Sequence, residues 1–342
     1  MSNEAHHAEA GSHPSPAAII DMMSAYEQTE ALAAAIELGI FDAIGAGAGT
    51  LDDLSARCNA SARGLRILCD YLTVRGLLTK REKAYGLSPD AAVFLDRRSP
   101  ACLASAIDFL GSRYVRERTA TLAAAVRTGT APLAGVLEPE ATTWVLFAQA
   151  MAPLMALPAS LLAALPETAG ARRVLDIAAG HGEWGIALAR AHPEAHVVFV
   201  DWPNVVRVAL ARATEAGLAE RVSVLAGSAF EVAFGTEYDL VLLPNFLHHF
   251  DPSTCETLLR KVYAALRPGG HAIAAEFVPN PDRVSPPSPA SFSLKMLVNT
   301  PRGDAYTFAE FEAMFGNAGF AAIRRETLGP TPATAIIAAK PA

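Results

Sequence analysis

The chain has 342 residues, 51% of them hydrophobic, and a formal net charge of −7. This length predicts about two domains with ample apolar content for a large core. The negative charge excludes a global basic field that would recruit nucleic acid or an anionic membrane, so we expect neither partner. The four cysteines are scattered without metal-binding spacing. They favour reduced thiols and a cytoplasmic location, and no metal site is predicted.

The N-terminal half is predicted to be helical. Residues 1–16 are rich in Ala, His, Ser and Pro, and we expect a disordered tail there. From 17 to 165 apolar residues recur at helical spacing, which predicts a mostly helical domain. Thr50 and Ser61 are suitable N-caps for two of its helices. Two short strands around the charged turn at 80–83 complete the pattern of a winged helix.

A winged helix raises the hypothesis of a DNA-binding regulator, because its third helix, the candidate recognition helix, carries Arg63, Arg66 and Arg75. Asp70 lies on the same helix, and two further acids lie nearby at 52–53. A phosphate-binding face should be more densely basic. We therefore favour a winged helix that serves homodimerisation through the N-terminal domain.

Apolar segments follow the winged helix. The stretches 101–110 and 144–151 have broad apolar faces, typical of helices interleaved with a partner subunit. One large monomeric helical core is the alternative. The most apolar segment, 151–165, contains Pro153 and Pro158 and is too short to span a bilayer. We interpret it as a pair of helices that line a pocket.

The stretch 173–201 predicts a strand, a glycine turn, a helix and a second strand that ends in an acid, Asp201. Gly180 and Gly182 let the backbone approach a ligand that a Cβ would block. An acid at the carboxyl end of a strand can accept both hydroxyls of a ribose. This pattern is typical of an adenosine-binding crevice.

Two cofactors are compatible with this crevice. Gly180, Gly182 and Gly185 match the dinucleotide fingerprint, and Asp201 lies at the distance that it requires. Asp176, however, lies inside the strand just before the turn, where a carboxylate would repel a pyrophosphate and would suit an amino group. The motif also comes after about half of the chain instead of opening it. Both details favour S-adenosylmethionine over NAD.

The domain 166–342 alternates strands with helices, which predicts a mostly parallel sheet covered on both faces, with ligands at the carboxyl ends of its strands. The fold class is therefore α/β, with a helical domain before the sheet. The further strands are predicted at 222–225, 238–243, 271–277 and 333–338, and the further helices at 255–266 and 308–318.

Asn245, His248 and His249 follow the strand 238–243, at the mouth of the predicted crevice. If this segment is helical, their spacing places all three on one face, directed towards the cofactor. Methyl transfer to a hydroxyl needs alignment and removal of a proton. A histidine with a pKa of about 6.5 is mostly neutral in the cytosol and can accept that proton.

Five motifs in this order resemble those of class I S-adenosylmethionine-dependent methyltransferases: VLDIAAGHG, FVDWPNV, VLAGSAF, YDLVLLPNFLHHF and ALRPGGHAIAAEF. With the winged-helix half, residues 17–340 resemble the small-molecule O-methyltransferase family of plant caffeate-type and bacterial polyketide- and phenazine-type enzymes. The resemblance implies a Rossmann-like sheet preceded by a dimerisation domain. It also implies S-adenosylmethionine as methyl donor, a small-molecule acceptor and a homodimer.

The resemblance implies separate segments for the methionine, ribose and adenine parts of the cofactor. In that order they are Asp176, Gly180 and Gly182, then Asp201, then Trp202 with Ser228, Ala229 and Phe230, while Asn245 lies at the crevice mouth. Two positions depart from the plant enzymes. Ser228 replaces an aspartate and hydrogen-bonds more weakly, and Pro244 replaces a cofactor-contacting lysine.

The resemblance also implies catalytic and substrate-binding residues. His248 matches the catalytic histidine, Glu276 matches the acid that orients it, and Asp304 covers the position of a second acid. His249 is a second candidate for the base or for binding the substrate. The predicted acceptor pocket is partly apolar and consists of Phe109, Trp144, Phe147, Met151, Met155, Phe292, Met296, Asn299 and Thr300.

Several alternatives remain open from the sequence. His248 could only pack, Glu276 could only cap a backbone, and methionines and aromatic residues at helical spacing are more often core than pocket. S- or N-methylation would need no base. A winged-helix regulator with a ligand-sensing methyltransferase-like domain, or a relative that uses the cofactor for another reaction, would keep the same fold.

Overall fold

The computed structural model describes residues 14–132 and 141–342. The chain divides by packing into two compact units, one ending at Ala104 and one beginning at Ser105. The first thirteen residues of the predicted tail lie outside the described part. The division falls well before the predicted boundary at 165, because the apolar helix that ends near that position packs within the second unit.

The first unit begins with helices and contains the predicted hairpin. Thr50 Oγ1 accepts a hydrogen bond from the Asp53 backbone N at 3.2 Å, and Ser61 Oγ accepts one from Gly64 N at 3.1 Å, so both predicted N-caps are confirmed. Its elements in chain order are α1 (Ala17–Met23), α2 (Ala25–Glu37), α3 (Ile40–Gly45), α4 (Leu51–Cys58), α5 (Ala62–Val74), β1 (Leu78–Arg81), β2 (Ala84–Leu87) and α6 (Pro89–Phe94).

Two of the three arginines that suggested DNA binding are paired with acids inside this unit. Arg66 contacts Asp70 at 3.1 Å, and Arg75 contacts Asp21 at 3.4 Å. Asp70 also accepts from Lys80 Nζ at 2.5 Å, a bond that ties α5 to β1. The helix therefore presents a charge-balanced face, which does not favour phosphate binding.

The second unit carries the sheet. Its elements in chain order are α7 (Ala106–Leu110), α8 (Arg113–Ala120), α9 (Leu122–Thr128), α10 (Thr142–Ala163), β3 (Arg173–Ile177), α11 (Glu183–Ala191), β4 (His196–Asp201), α12 (Val206–Glu215), β5 (Val222–Ala226), β6 (Tyr238–Pro244), α13 (Pro252–Ala265), β7 (Leu266–Glu276), α14 (Pro287–Asn299), α15 (Phe308–Asn317), β8 (Ala321–Thr327) and β9 (Thr334–Ala339).

The sheet has seven strands in the order β5-β4-β3-β6-β7-β9-β8. The first five of these are mutually parallel, while β9 runs antiparallel to both of its neighbours. Separate clusters of buried apolar residues cover the two faces. The predicted α/β class with a Rossmann-like sheet is confirmed. From β3 the chain adds β4 and β5 towards one edge of the sheet, and it then returns to the other side of β3 with β6 and β7. The strand order therefore reverses between β3 and β6, where such sheets bind ligands.

One prediction about an element is wrong, and one strand was not predicted. The apolar segment is one helix, α10, with Pro153 and Pro158 inside its 22 residues. Each proline removes one helical hydrogen bond. The helix is nevertheless continuous, and it packs against α7 and α11. By length and composition alone, α10 is long and apolar enough to cross a membrane. Core helices of soluble proteins meet the same two criteria. The sequence also gave no prediction of β8, whose side chains are mostly exposed and which lacks an apolar alternation.

Candidate functional site

The candidate site lies where β3, β4, β6 and β7 end, at the reversal of strand order. The turn after β3 has positive φ angles at Gly180 (56°) and Gly182 (76°), a conformation that favours glycine. Gly180 N donates to Asp201 Oδ2 at 2.8 Å, which joins the turn to the end of β4. A Cβ on Gly185 would lie 2.6 Å from Phe199 Cε1, so this glycine lets α11 pack closely on the sheet.

Asp176 is fully buried at the end of β3. Its Oδ2 accepts from Gly185 N at 3.0 Å, while its Oδ1 has no hydrogen-bond partner among the described residues. Burial, together with the nearby charge of Asp201, raises the pKa of the Asp176 carboxyl to about 7. A buried carboxylate oxygen without a donor fits a cationic amino group, such as the one on the methionine part of S-adenosylmethionine.

Asp201 is half-buried at the end of β4. Its Oδ1 accepts from Trp202 N at 2.7 Å and its Oδ2 accepts from Gly180 N. Burial raises the pKa of this carboxyl to about 6. Each carboxylate oxygen has further acceptor capacity after one backbone bond, so both remain available to the two hydroxyls of a ribose.

The segment expected beside the adenine follows β5. Ser228 Oγ accepts from Phe230 N at 3.2 Å, which leaves its hydroxyl hydrogen available to a ligand. Ala229 is buried, and its carbonyl accepts from Lys261 Nζ at 2.8 Å. Phe230 packs edge-on against Phe250, with ring centroids 5.1 Å apart. Lys261 was not predicted from the sequence, because a lysine on α13 gives no sign that it reaches this loop.

Asn245 does not share a helical face with the two histidines. It has a φ of 52° at the end of β6, and only 247–249 form a short 3-10 helix. The Asn245 backbone N donates to Ala275 O at 2.8 Å, and its Nδ2 contacts Met155 Sδ at 3.4 Å. The left-handed residue therefore breaks the expected i, i+3, i+4 relation and directs the amide towards α10.

His248 and Glu276 form a buried pair between this 3-10 turn and the end of β7. His248 Nδ1 lies 2.5 Å from Glu276 Oε2. The other carboxylate oxygen, Oε1, accepts from Phe246 N at 3.1 Å and from Leu247 N at 2.8 Å. The exposed fraction is 4% for His248 and 1% for Glu276. Glu276 thus caps the turn and holds the imidazole at the same time.

The His249 ring is held next to that of His248, with centroids 4.3 Å apart. Its Nδ1 lies 3.1 Å from Phe246 O. Burial and the proximity of His248 lower the pKa of His249 to about 3, so the ring is neutral. Because a carbonyl only accepts, Nδ1 carries the proton and Nε2 is left as an acceptor.

Five of the predicted pocket residues lie around these histidines. Ring contacts connect Trp144 to His249 at 6.2 Å, Trp144 to Phe147 at 6.2 Å and Phe147 to Phe109 at 5.0 Å. Phe292 packs edge-on against His248 at 4.8 Å. Met155 joins them through Asn245, as described above. Phe277, which the sequence did not indicate, stacks on Phe292 at 4.2 Å.

The other predicted pocket residues make local contacts instead. Thr300 is buried, and its Oγ1 donates to Met296 O at 2.8 Å. Met296 is also buried, and Asn299 Nδ2 donates to Lys295 O at 2.8 Å. Met151 lies on α10 one turn before Met155. The contacts of these four residues with an acceptor stay predictions.

Asp304 does not contact the histidines. Its carboxylate pairs with Arg283 at 3.3 Å. The residue that approaches His248 is the preceding Gly303, where an added Cβ would lie 2.2 Å from His248 O. Gly303 N also donates to Thr300 Oγ1 at 2.8 Å. The loop after α14 thus supports the histidine through close backbone packing.

Comparison with known families gives two matches that together span most of the chain. The model of an O-methyltransferase domain matches residues 128–321. The model of an O-methyltransferase dimerisation domain matches residues 20–97. The second match corresponds to the winged-helix unit and the first to the unit that contains the sheet.

Individual proteins agree with these matches. The chain is 30% identical over 329 residues to 3-hydroxy-5-methyl-1-naphthoate 3-O-methyltransferase of Streptomyces sahachiroi, with 94% of both chains covered. The crystal structure of a candidate O-methyltransferase from Nostoc punctiforme superimposes with a TM-score of 0.91 at 47% identity, covering 96% of this chain and 100% of that one. Human N-acetylserotonin methyltransferase in complex with S-adenosylmethionine gives a TM-score of 0.83 at 25% identity, with 98% and 100% covered. The chain therefore belongs to the O-methyltransferase family and is an S-adenosylmethionine-dependent methyltransferase of the small-molecule class.

Proposed function

We propose that the enzyme methylates a hydroxyl group of a small aromatic acceptor, with His248 as the general base. The contact of 2.5 Å between His248 Nδ1 and Glu276 Oε2 carries this proposal. Because a carboxylate accepts, Nδ1 holds a proton and Nε2 keeps a lone pair that can take the proton of the acceptor hydroxyl. S-adenosylmethionine supplies a methyl group activated by a sulfonium.

Glu276 prepares the histidine for this role. Three donors converge on its carboxylate, the His248 ring and two backbone N–H groups. The carboxylate then fixes the tautomer and the orientation of the imidazole, and it stabilises the imidazolium that forms when the proton is taken.

The cofactor-binding proposal rests on the residues around the glycine turn. The free Oδ1 of Asp176 would accept from the cofactor's amino group, and the two oxygens of Asp201 would accept from the ribose hydroxyls. Trp202 and the segment 228–230 would flank the adenine.

The surroundings of the histidines support an aromatic acceptor. Phe109, Trp144, Phe147 and Phe292 offer ring edges and faces, a geometry that favours offset or edge-on contact with another ring. The relatives described above act, by their names, on a naphthoate and on N-acetylserotonin, both aromatic. A thioether or amine acceptor is the alternative, and it would make His248 dispensable as a base.

Replacement of the base tests the proposal. His248→Ala should lower the turnover of a phenolic acceptor by roughly 10²–10⁴-fold, the usual contribution of a general base. The affinity for S-adenosylhomocysteine, measured by calorimetric titration, should stay unchanged, because Asp176 and Asp201 are intact. An unchanged turnover would remove His248 as the base and favour the alternative acceptors.

We further propose a cytoplasmic homodimer paired through the N-terminal unit. α1 has no buried residue, and Ile19, Ile20, Met22 and Met23 are 58–80% exposed. Such an apolar face is typical of a subunit interface. The four cysteines are free thiols, as expected in a reducing compartment. Light scattering tests the assembly: the wild type should be a dimer, and Met22→Asp with Met23→Asp should yield monomers.

A further inference from the structure

Trp144 carries a buried polar atom for which no described residue is a hydrogen-bond partner. The indole lies in the first turn of α10, and its Nε1 has no acceptor within the described ranges. An indole nitrogen can only donate. A buried donor without an acceptor costs about 1–3 kcal/mol, and an acceptor atom on a bound ligand would remove that cost.

Trp144 lies beside the histidine pair. Its ring centroid lies 6.2 Å from that of His249, whose own ring is 4.3 Å from His248. On the other side, Trp144 meets the edge of Phe147. Trp144 and His248 thus both contact the His249 ring, and an acceptor with two fused rings that places its hydroxyl at His248 is large enough to extend to the Trp144 side of the pair.

Two polar side chains described near Trp144 and the start of α10, His249 and Asn204, are neutral. His249 is uncharged and offers Nε2 as an acceptor. Asn204 contacts the start of α10 through Ala141 O at 3.5 Å, and its Oδ1 is a second buried atom without a partner in the described chain. Charge compensation for a carboxylate is thus lacking at these positions, and a buried anion would be strongly disfavoured.

We propose that the Trp144 indole N–H donates a hydrogen bond to a neutral carbonyl or ether oxygen of the aromatic acceptor, on the side remote from the hydroxyl that is methylated. This inference rests on the proposed function, because it takes the histidine pair as the end where the hydroxyl binds. It makes Trp144 a residue that selects among aromatic hydroxyl compounds by their second oxygen.

Two bicyclic phenols of similar shape separate this role from simple packing. 7-Hydroxycoumarin has a ring carbonyl opposite its hydroxyl, and 2-naphthol has none. Trp144→Phe removes the N–H and keeps an aromatic ring. We expect this variant to lower kcat/KM for 7-hydroxycoumarin by roughly 5–100-fold, the effect of one lost hydrogen bond. Because the Trp144 ring also contacts His249, 2-naphthol shares any loss that comes from packing, so the readout is the ratio of the two kcat/KM values, which should fall by roughly 5–100-fold.

Calorimetric titration of both phenols into the enzyme with S-adenosylhomocysteine keeps the two claims distinct. If the proposed function fails, neither phenol is methylated, yet the wild type still binds 7-hydroxycoumarin more tightly than 2-naphthol and Trp144→Phe abolishes that preference. Equal losses for both phenols, or a wild type without a preference, would overturn the role of Trp144.

Discussion

The His248–Glu276 pair and the cofactor-side acids differ in how their polar atoms are satisfied. Glu276 accepts three hydrogen bonds from the protein itself. Asp176, buried to a similar degree, leaves one oxygen without a donor among the residues that the structure describes. The carboxylate that positions the proposed base has its donors before any ligand binds, whereas Asp176, which would bind the cofactor's amino group, has an oxygen without one in the described chain. At this site, the unmet oxygen of Asp176 fits a binding role, and the saturated carboxylate of Glu276 fits a positioning role.

Replacement of Glu276, the carboxylate whose hydrogen bonds are all made within the protein, should have the largest effect on turnover. Glu276→Gln keeps the size of the side chain but removes the charge and places an amide nitrogen against donors. We expect kcat to fall by roughly 10²–10⁴-fold through misorientation of His248, and stability to fall because a backbone N–H loses its acceptor. Steady-state turnover and thermal unfolding measure the two effects. Glu326→Gln, at an exposed position on β8, is the matched control and should change neither.

The role of Asp176, whose Oδ1 has no donor among the described residues, is tested by measuring cofactor affinity over a pH series. Because the pKa of Asp176 in the ligand-free protein is about 7, this carboxyl takes up a proton as the pH falls, and an ammonium ligand must expel it. The affinity for S-adenosylhomocysteine should therefore fall roughly eightfold between pH 7.5 and 6. Asp176→Asn should bind more weakly at pH 7.5 and lose most of this dependence. A wild-type affinity that is constant over this range would refute the role of Asp176.

The same shift determines how Asp176 affects folding. The folded state holds the proton more tightly than the unfolded chain, whose carboxyl has a pKa near the usual 3.8. The stability that this group contributes in the ligand-free protein is present at low pH and is lost as the pH rises towards 7. Saturating cofactor should reverse this trend, because it favours the carboxylate.

A smaller effect is expected from the loop that supports His248. Gly303→Ala would place a Cβ 2.2 Å from His248 O, so loop or histidine must shift. We expect a decrease in stability of about 1–3 kcal/mol, as for overpacking, and a lower kcat with unchanged cofactor affinity. Gly316→Ala is the control, since its Cβ would meet only Ile323 at 3.9 Å. A helical alanine there should be neutral or slightly stabilising.

The smallest effect concerns Ser228, which stands where the resembling plant enzymes have an aspartate. Ser228→Asp should strengthen cofactor binding by a few-fold, because a charge-assisted hydrogen bond is about twice as strong as a neutral one. Ser228→Ala should weaken binding by a similar factor. Calorimetric titration of S-adenosylhomocysteine measures both, and weaker binding by the aspartate variant would show that Ser228 does not face the adenine.

Local chemistry explains which parts of the fold the sequence predicted. The glycine turn, the N-caps at Thr50 and Ser61, and the parallel strands follow from short motifs and alternation. The continuity of α10 could not be predicted, because its prolines favour a break. The contacts of this helix with α7 and α11 are tertiary and have no signal in the local sequence. The exposed strand β8 lacks the apolar pattern by which strands are recognised.

The site was predicted less completely than the fold. The pairing of His248 with Glu276 joins residues 28 positions apart and came only from the family resemblance. The positive φ of Asn245, which separates its amide from the histidines, has no signal in local spacing. Neither has the burial of Thr300, whose hydroxyl bonds to its own helix. Contacts that depend on how loops pack are not encoded in nearby residues.

The role of His248 is tested most directly by single-turnover methylation at pH 8 of two acceptors that differ in acidity. 2-Naphthol keeps its proton at this pH, whereas 4-nitrophenol has already lost it in water. We predict that His248→Ala lowers the rate for 2-naphthol by roughly 10²–10⁴-fold and the rate for 4-nitrophenol far less, because only the first acceptor needs a base. An equal loss for both acceptors would contradict general base catalysis by His248.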